Sequence, residues 1–152
     1  MMAIILLVLK YFTFFSIFIN DMKKKLIYDR DILFLVLIGL FSAVKFNDLG
    51  NYYLGASGYL MPLLALYILE DYFKKSLIGF GDVKLMMGIG GLFRYSGVEN
   101  IFKFYTMLYI FSGIVVLFLL FFKKLQKCEY IPFAPFIIAS YIFFNHFKIF
   151  FG

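Results

Sequence analysis

Two aspartates stand at positions where an ionisable side chain is unusual. Asp21 directly follows an apolar run at residues 1–20, and Asp82 directly precedes another apolar run that begins at residue 83. Two carboxyls held close together in a poorly solvated site do not both ionise easily, so one of them keeps its proton. Such a pair can serve as general base toward a water molecule and as general acid toward a carbonyl or a leaving amine.

That chemistry requires the two aspartates to meet, and the composition indicates what kind of structure would position them. Of the 152 residues, 64% are hydrophobic and 16% are charged, whereas soluble domains are about 45–50% apolar and about a quarter charged. A water-soluble fold of this size could not bury so much apolar surface, which excludes a soluble enzyme and a nucleic-acid-binding module. We therefore predict a membrane protein that is surrounded by the lipid bilayer.

Apolar runs occur six times in the chain. They cover residues 1–20, 32–44, 49–69, 83–98, 104–122 and 130–147. Because a helix needs about 20 residues to cross the hydrocarbon core, six spans would leave only short loops. The second run is short and the fourth is rich in glycine, so four or five spans are the alternative. We expect an all-α, polytopic membrane helix bundle with about six transmembrane helices.

The basic residues indicate the orientation of this bundle. If the N-terminus is outside, most of the 15 Lys and Arg residues fall in cytoplasmic loops, and Lys10 falls within the first span. Lys and Arg concentrate on the cytoplasmic side of membrane proteins, so we expect the N-terminus outside. The first span then ends, and the fourth begins, at the cytoplasmic edge of the membrane. Asp21 and Asp82 are therefore predicted to lie at the same depth.

The segment around Asp82 supports a site rather than a simple span end. Gly79 and Gly81 disfavour continuous helix and allow another backbone to approach closely. An ionisable residue at membrane depth is a candidate functional residue. The alternative for either aspartate alone is a solvated anchor at the end of a span, with Lys84 pairing with Asp82.

Other polar and small residues have simpler interpretations. The acids at residues 29, 31, 70 and 71 either neutralise nearby lysines or attract a basic peptide. The glycines at residues 88, 90 and 91 are predicted to allow close packing between helices. With one Cys and one His in the chain, we expect no internal disulfide and no metal site.

Three segments resemble the type IV prepilin peptidases, which are membrane aspartic proteases related to the archaeal preflagellin peptidases. The sequence GFGDVKL at residues 79–85 resembles the GxGDxKL box of that family. DMKKKLI at residues 21–27 is similar to its aspartate with a short basic loop, and IPFAPF at residues 131–136 to its PF(G/A)PF segment. The three segments occur in the family's order, and the resemblance that they carry extends over nearly the whole chain.

The resemblance implies an activity and a place in the cell. Residues 1–152 would form a single membrane-embedded peptidase domain with Asp21 and Asp82 as the catalytic pair. The substrate would be a prepilin or pseudopilin precursor with a short basic leader, cleaved near the cytoplasmic face of the plasma (inner) membrane by a multi-pass enzyme. No metal ion or organic cofactor is implied, and the oligomeric state is not indicated.

The resemblance also assigns residues around the catalytic pair. It places Gly79, Gly81 and Lys84 in an active-site loop. Pro132 and Pro135 either contact the substrate or only shape the start of the last helix, where proline is tolerated.

The chain departs from the family pattern in two respects. Tyr28 and Asp29 stand where the family usually has Pro and Asn. The larger members also carry a cysteine-bearing cytoplasmic insert, whereas this chain has only Cys128 and resembles the compact form. The alternatives are a bifunctional peptidase and N-methyltransferase, a small ion- or proton-relay membrane protein, and an inactive assembly subunit.

Overall fold

The computed structural model describes residues 2–74, 78–122 and 131–151, and the regular structure in these ranges is helical. These described ranges form six helices: α1 (Met2–Lys24), α2 (Asp29–Lys45), α3 (Leu49–Phe73), α4 (Phe80–Phe93), α5 (Val98–Phe121) and α6 (Ala134–Phe151). The prediction of an all-α fold is confirmed. Cys128 and the basic residues Lys75, Lys123, Lys124 and Lys127 lie outside the described residues.

Three of the helices are long and apolar enough to cross a membrane, at Ile4–Lys24, Leu49–Glu70 and Val98–Phe121. Their outward faces carry large apolar side chains, such as Phe12 in α1 with 70% exposed and Leu117 in α5 with 68% exposed. Such exposed apolar faces are suited to contact with membrane lipid. The remaining helices α2, α4 and α6 are shorter, with 17, 14 and 18 residues. The number of six spans therefore stays a prediction, as does the orientation of the bundle in the membrane.

The end of α4 differs from the apolar run that predicted it. The run extends to residue 98, but the helix ends at Phe93. Arg94 takes a positive φ of 59°, and its guanidinium bonds the Asp48 carboxylate at 3.2 Å and the Ser42 hydroxyl at 3.0 Å. These contacts hold the turn after α4 against the turn after α2. The position of a polar partner, and not hydropathy, therefore sets the end of this helix.

Small residues let α4 lie close against α2 and α3, as predicted. A Cβ atom added to Gly90 would stand 2.5 Å from the Gly55 carbonyl oxygen of α3. A Cβ atom on Gly91 would stand 2.6 Å from the Tyr52 ring, and one on Gly88 would stand 3.3 Å from Leu35 of α2. The backbone of α4 is thus held between two neighbouring helices. This fixes the position of its N-terminal turn, which carries Asp82.

A single core joins all six helices. Their completely buried side chains include Ile17 of α1, Leu35 of α2, Leu63 of α3, Ile89 of α4, Leu108 of α5 and Ile137 of α6. Aromatic contacts extend this core, since Tyr141 of α6 packs against Phe14 of α1 and Phe93 of α4. The C-terminal end of α1 and the N-terminal ends of α4 and α6 lie together at one end of this core.

Candidate active site

Asp21 and Asp82 line one cavity of about 230 Å³. Asp21 comes from the last turn of α1 and Asp82 from the first turn of α4. Each aspartate is only 2% exposed. Two carboxyls that are far apart in the chain therefore meet in one poorly solvated space, which is the arrangement that a shared proton requires.

The start of α6 provides a partner for Asp21. The backbone N–H of Ala134, the first residue of α6, donates a hydrogen bond of 3.1 Å to Asp21 Oδ2. Free N–H groups and the helix dipole at an N-terminus favour a negative charge beside them. Pro132 precedes the helix and Pro135 lies in its first turn, where a missing N–H has little cost. The two prolines thus fit the role of shaping the start of α6.

Asp82 has a different environment from Asp21. Its Oδ1 atom is buried and has no hydrogen-bond partner among the described residues. Asp82 lies ahead of the apolar part of α4, and burial together with the charge of Asp21 raises its pKa to about 7, although the backbone of Gly79 opposes part of this rise. Asp82 is therefore the carboxyl of the pair that favours its protonated form below about pH 7.

The two glycines beside Asp82 have separate roles. Gly79 is the N-cap of α4, with extended backbone at φ −74° and ψ 139°. Gly81 lies within the helix, so the expectation that both glycines interrupt helical structure is correct only for Gly79. A Cβ atom on Gly81 would stand 3.2 Å from the Cβ of Ile27. The absence of a side chain therefore lets the segment between α1 and α2 pack against the first turn of α4.

Lys84 does not pair with Asp82, as the sequence suggested it could. Its Nζ atom lies 2.8 Å from Asp29 Oδ1 at the start of α2, and 4.8 Å from the centre of the Phe80 ring. Both members of this ion pair line the cavity. Because the pair is partly exposed to solvent, its contribution to stability is small. The ion pair links the N-terminal ends of α2 and α4 beside the cavity.

Asp31 is a buried carboxylate, which the sequence analysis expected either to neutralise nearby lysines or to attract a basic peptide. It is 3% exposed, and its Oδ2 atom accepts a hydrogen bond of 3.0 Å from the Ser16 hydroxyl of α1. The sequence analysis did not predict this burial. Helical periodicity would have revealed this, because Leu35 and Ile38 follow it at spacings of four and seven residues and are also buried.

Among residues 2–74, 78–122 and 131–151, there is no cluster of three or more His, Cys, Asp or Glu side chains that could hold a metal ion. The only His in the sequence, His146, is exposed near the end of α6. The carboxyl pair is therefore the chemically distinctive feature of the cavity.

The sequence is similar to one known family of proteins. Residues 6–144 match the model of a family described as the type IV leader peptidase family. No curated protein and no solved structure matches the chain. The matched range includes both aspartates of the cavity and the Ala134 amide.

Proposed function

The chain belongs to the type IV leader peptidase family, and on that premise we propose that it is a membrane aspartic endopeptidase. Its substrate is a prepilin or pseudopilin precursor, from which it removes the short basic leader at the cytoplasmic face of the plasma membrane. The observation that carries this proposal is the one cavity lined by both Asp21 and Asp82.

The different environments of the two carboxyls support a role for each. Asp21 accepts a hydrogen bond from the Ala134 N–H and is the ionised partner, so it acts as general base on the attacking water. Asp82 is the protonated partner and acts as general acid. The water oxygen attacks the scissile carbonyl carbon, its proton passes to Asp21, and the proton of Asp82 passes to the carbonyl oxygen.

Collapse of the resulting tetrahedral diol completes the reaction. The C–N bond breaks, and the leaving amine takes the proton that Asp21 received from water. A hydroxyl proton of the diol returns to Asp82 as the carbonyl re-forms. The leader then has a new carboxyl terminus and the pilin has a new amino terminus, while both aspartates regain their starting protonation states.

The neighbours of the pair have positioning roles in this proposal. Gly79 begins α4 where Asp82 must be presented, and Gly81 allows Ile27 to pack closely beside it. The Lys84–Asp29 pair holds the start of α2 at the cavity. The basic residues after α1 favour the cytoplasmic side for this end of the bundle, which is also the side where a leader that precedes translocated sequence would be found.

The test is cleavage of a prepilin from the same genome, co-expressed in membranes and read by mass spectrometry. Asp21→Asn and Asp82→Asn each remove a proton-transfer group and should lower the cleavage rate by at least about 100-fold. Asp31→Asn is the matched control, since Asp31 is equally buried but does not line the cavity. It should retain cleavage.

The same experiment separates the alternative functions. The mass of the product's N-terminus shows whether the chain also methylates the new amine. A wild-type chain that cuts nothing but changes an ion or pH gradient in vesicles would favour a relay. Cleavage that survives both substitutions would contradict the two-aspartate mechanism.

A further inference from the structure

A second polar cavity lies at the opposite end of the bundle from the carboxyl pair. It has a volume of about 180 Å³ and lies between α1, α2, α4 and α6. Lys10 of α1 and Lys45 of α2 both line it, together with Ser42 and Tyr141. Lys10 precedes Asp21 by about 16 Å along α1, at about 1.5 Å per residue. The two cavities are therefore separate.

Lys10 is unusual because it interrupts the apolar run of α1. It is half-buried, and its Nζ atom donates a weak hydrogen bond of 3.5 Å to the Tyr141 hydroxyl. It also lies 4.9 Å from the centre of the Tyr11 ring and 5.4 Å from that of Tyr141. These contacts orient the ammonium group but do not neutralise its charge. A cation at this depth in a membrane protein usually has a partner.

The described residues provide no anion for this cavity. Of the acids at this end of the bundle, Asp48 is paired with Arg94 at 3.2 Å and Glu99 with Lys103 at 2.7 Å. Neither Lys10 nor Lys45 lies within ion-pair distance of a described carboxylate. The cavity thus combines two unneutralised cations with the Ser42 hydroxyl, while its apolar wall includes Leu6 and Leu7.

We propose that this cavity binds the phosphate group of an anionic phospholipid, with Lys10 and Lys45 contacting the phosphate. Two ammonium groups complement one phosphodiester charge and its oxygen atoms through charge-assisted hydrogen bonds. The apolar side chains that also line the cavity suit the apolar part of a lipid. The same chemistry could accept free phosphate, which the test distinguishes.

The test uses the full chain purified in neutral detergent and titrated with short-chain phosphatidylglycerol. Phosphatidylcholine with the same chains is the uncharged comparison, and inorganic phosphate is a separate arm. Native mass spectrometry reports bound lipid. Lys10→Gln and Lys45→Gln should each weaken phosphatidylglycerol binding by about fivefold, given the usual contribution of one lysine to anionic lipid binding.

Lys103→Gln is the matched control, because Lys103 is a lysine at the same end of the bundle that is already paired and lies outside the cavity. It should bind phosphatidylglycerol as the wild type does. Lys45 is exposed at the end of α2, so its substitution leaves folding intact and keeps the test valid if Lys10→Gln does not fold.

Each outcome decides the proposal. Binding of phosphatidylglycerol that depends on the two cavity lysines supports a lipid ligand. Binding of inorganic phosphate but not of phosphatidylglycerol, lost in the same variants, supports the site with free phosphate as its ligand. Equal binding of the two lipids without a phosphate effect, or an equal loss in Lys103→Gln, would overturn it.

Discussion

At the scale of single residues, the distinction between the two aspartates comes from their neighbours. Asp21 has an amide donor at a helix N-terminus, and Asp82 has a buried oxygen atom without a hydrogen-bond partner among the described residues. Chemically identical side chains are thereby suited to opposite roles. The sequence alone does not distinguish them, because the Ala134 amide is distant in the chain and reaches Asp21 only through the packing of α6 against α1.

This difference predicts a pH dependence. Burial and the Asp21 charge raise the pKa of Asp82 to about 7, so Asp82 holds its proton below this pH and loses it above. Cleavage should therefore fall as pH rises through about 7, approaching a tenfold loss per pH unit. The measurement is kcat/KM for a leader-peptide substrate between about pH 6 and pH 9.

A control separates this titration from general effects of pH on the protein. Glu99→Gln changes an exposed acid at the other end of the bundle and should leave the midpoint of the profile unchanged. The basic leader itself titrates near pH 10 and does not contribute in this range. A rate that is constant or rises through pH 7 would contradict the assignment of Asp82 as the acid.

At the scale of elements, the packing of α4 positions the site. Gly90 meets Gly55 across the α3–α4 contact, where a Cβ atom would stand 2.5 Å from a carbonyl oxygen and 2.7 Å from Tyr59 Cβ. Gly90→Ala must therefore push the helices apart, which costs about 1–3 kcal/mol. We expect a lower midpoint of thermal unfolding in detergent, together with slower cleavage because Asp82 moves with α4.

Gly113→Ala provides the comparison for this substitution. Gly113 lies in α5 with nothing within 4 Å of an added Cβ, and alanine is the better helix former by about 1 kcal/mol. Its unfolding midpoint should stay the same or rise. If the two substitutions changed the unfolding midpoint equally, the close contact between α3 and α4 at Gly90 would be contradicted.

The elements also show what the sequence could and could not predict. The hydropathy runs locate all six helices, and the glycines of α4 predict its close packing correctly. The end of α4 is missed because it depends on Arg94 meeting Asp48 across the bundle. The burial of Asp31 does not follow from its charge, although the helical spacing to Leu35 and Ile38 indicates it. The end of α4 depends on a partner from another part of the bundle, which composition within one segment does not reveal.

At the scale of the whole molecule, the charge distribution predicts the orientation in the membrane. The end of the bundle that holds Asp21 and Asp82 also carries the basic residues in the last turn of α1, and the opposite end includes the turn between α4 and α5. In a Cys128→Ser background, Lys23→Cys should react with an impermeant maleimide only after cells are permeabilised. Val98→Cys, which is exposed at the start of α5, should react in intact cells. The reverse labelling pattern would contradict an external N-terminus.

The shortness of α4 has a consequence for the bilayer itself. Its 14 residues give a length of about 21 Å, against about 30 Å of hydrocarbon. If α4 crosses the membrane as predicted, with Arg94 at one headgroup layer, Asp82 would lie within the hydrocarbon near the other layer unless the membrane thins around it. Such hydrophobic mismatch is relieved by local deformation of the lipid. The enzyme would then sense membrane thickness, and leader cleavage should slow in vesicles with longer acyl chains, where water reaches the carboxyl pair less easily.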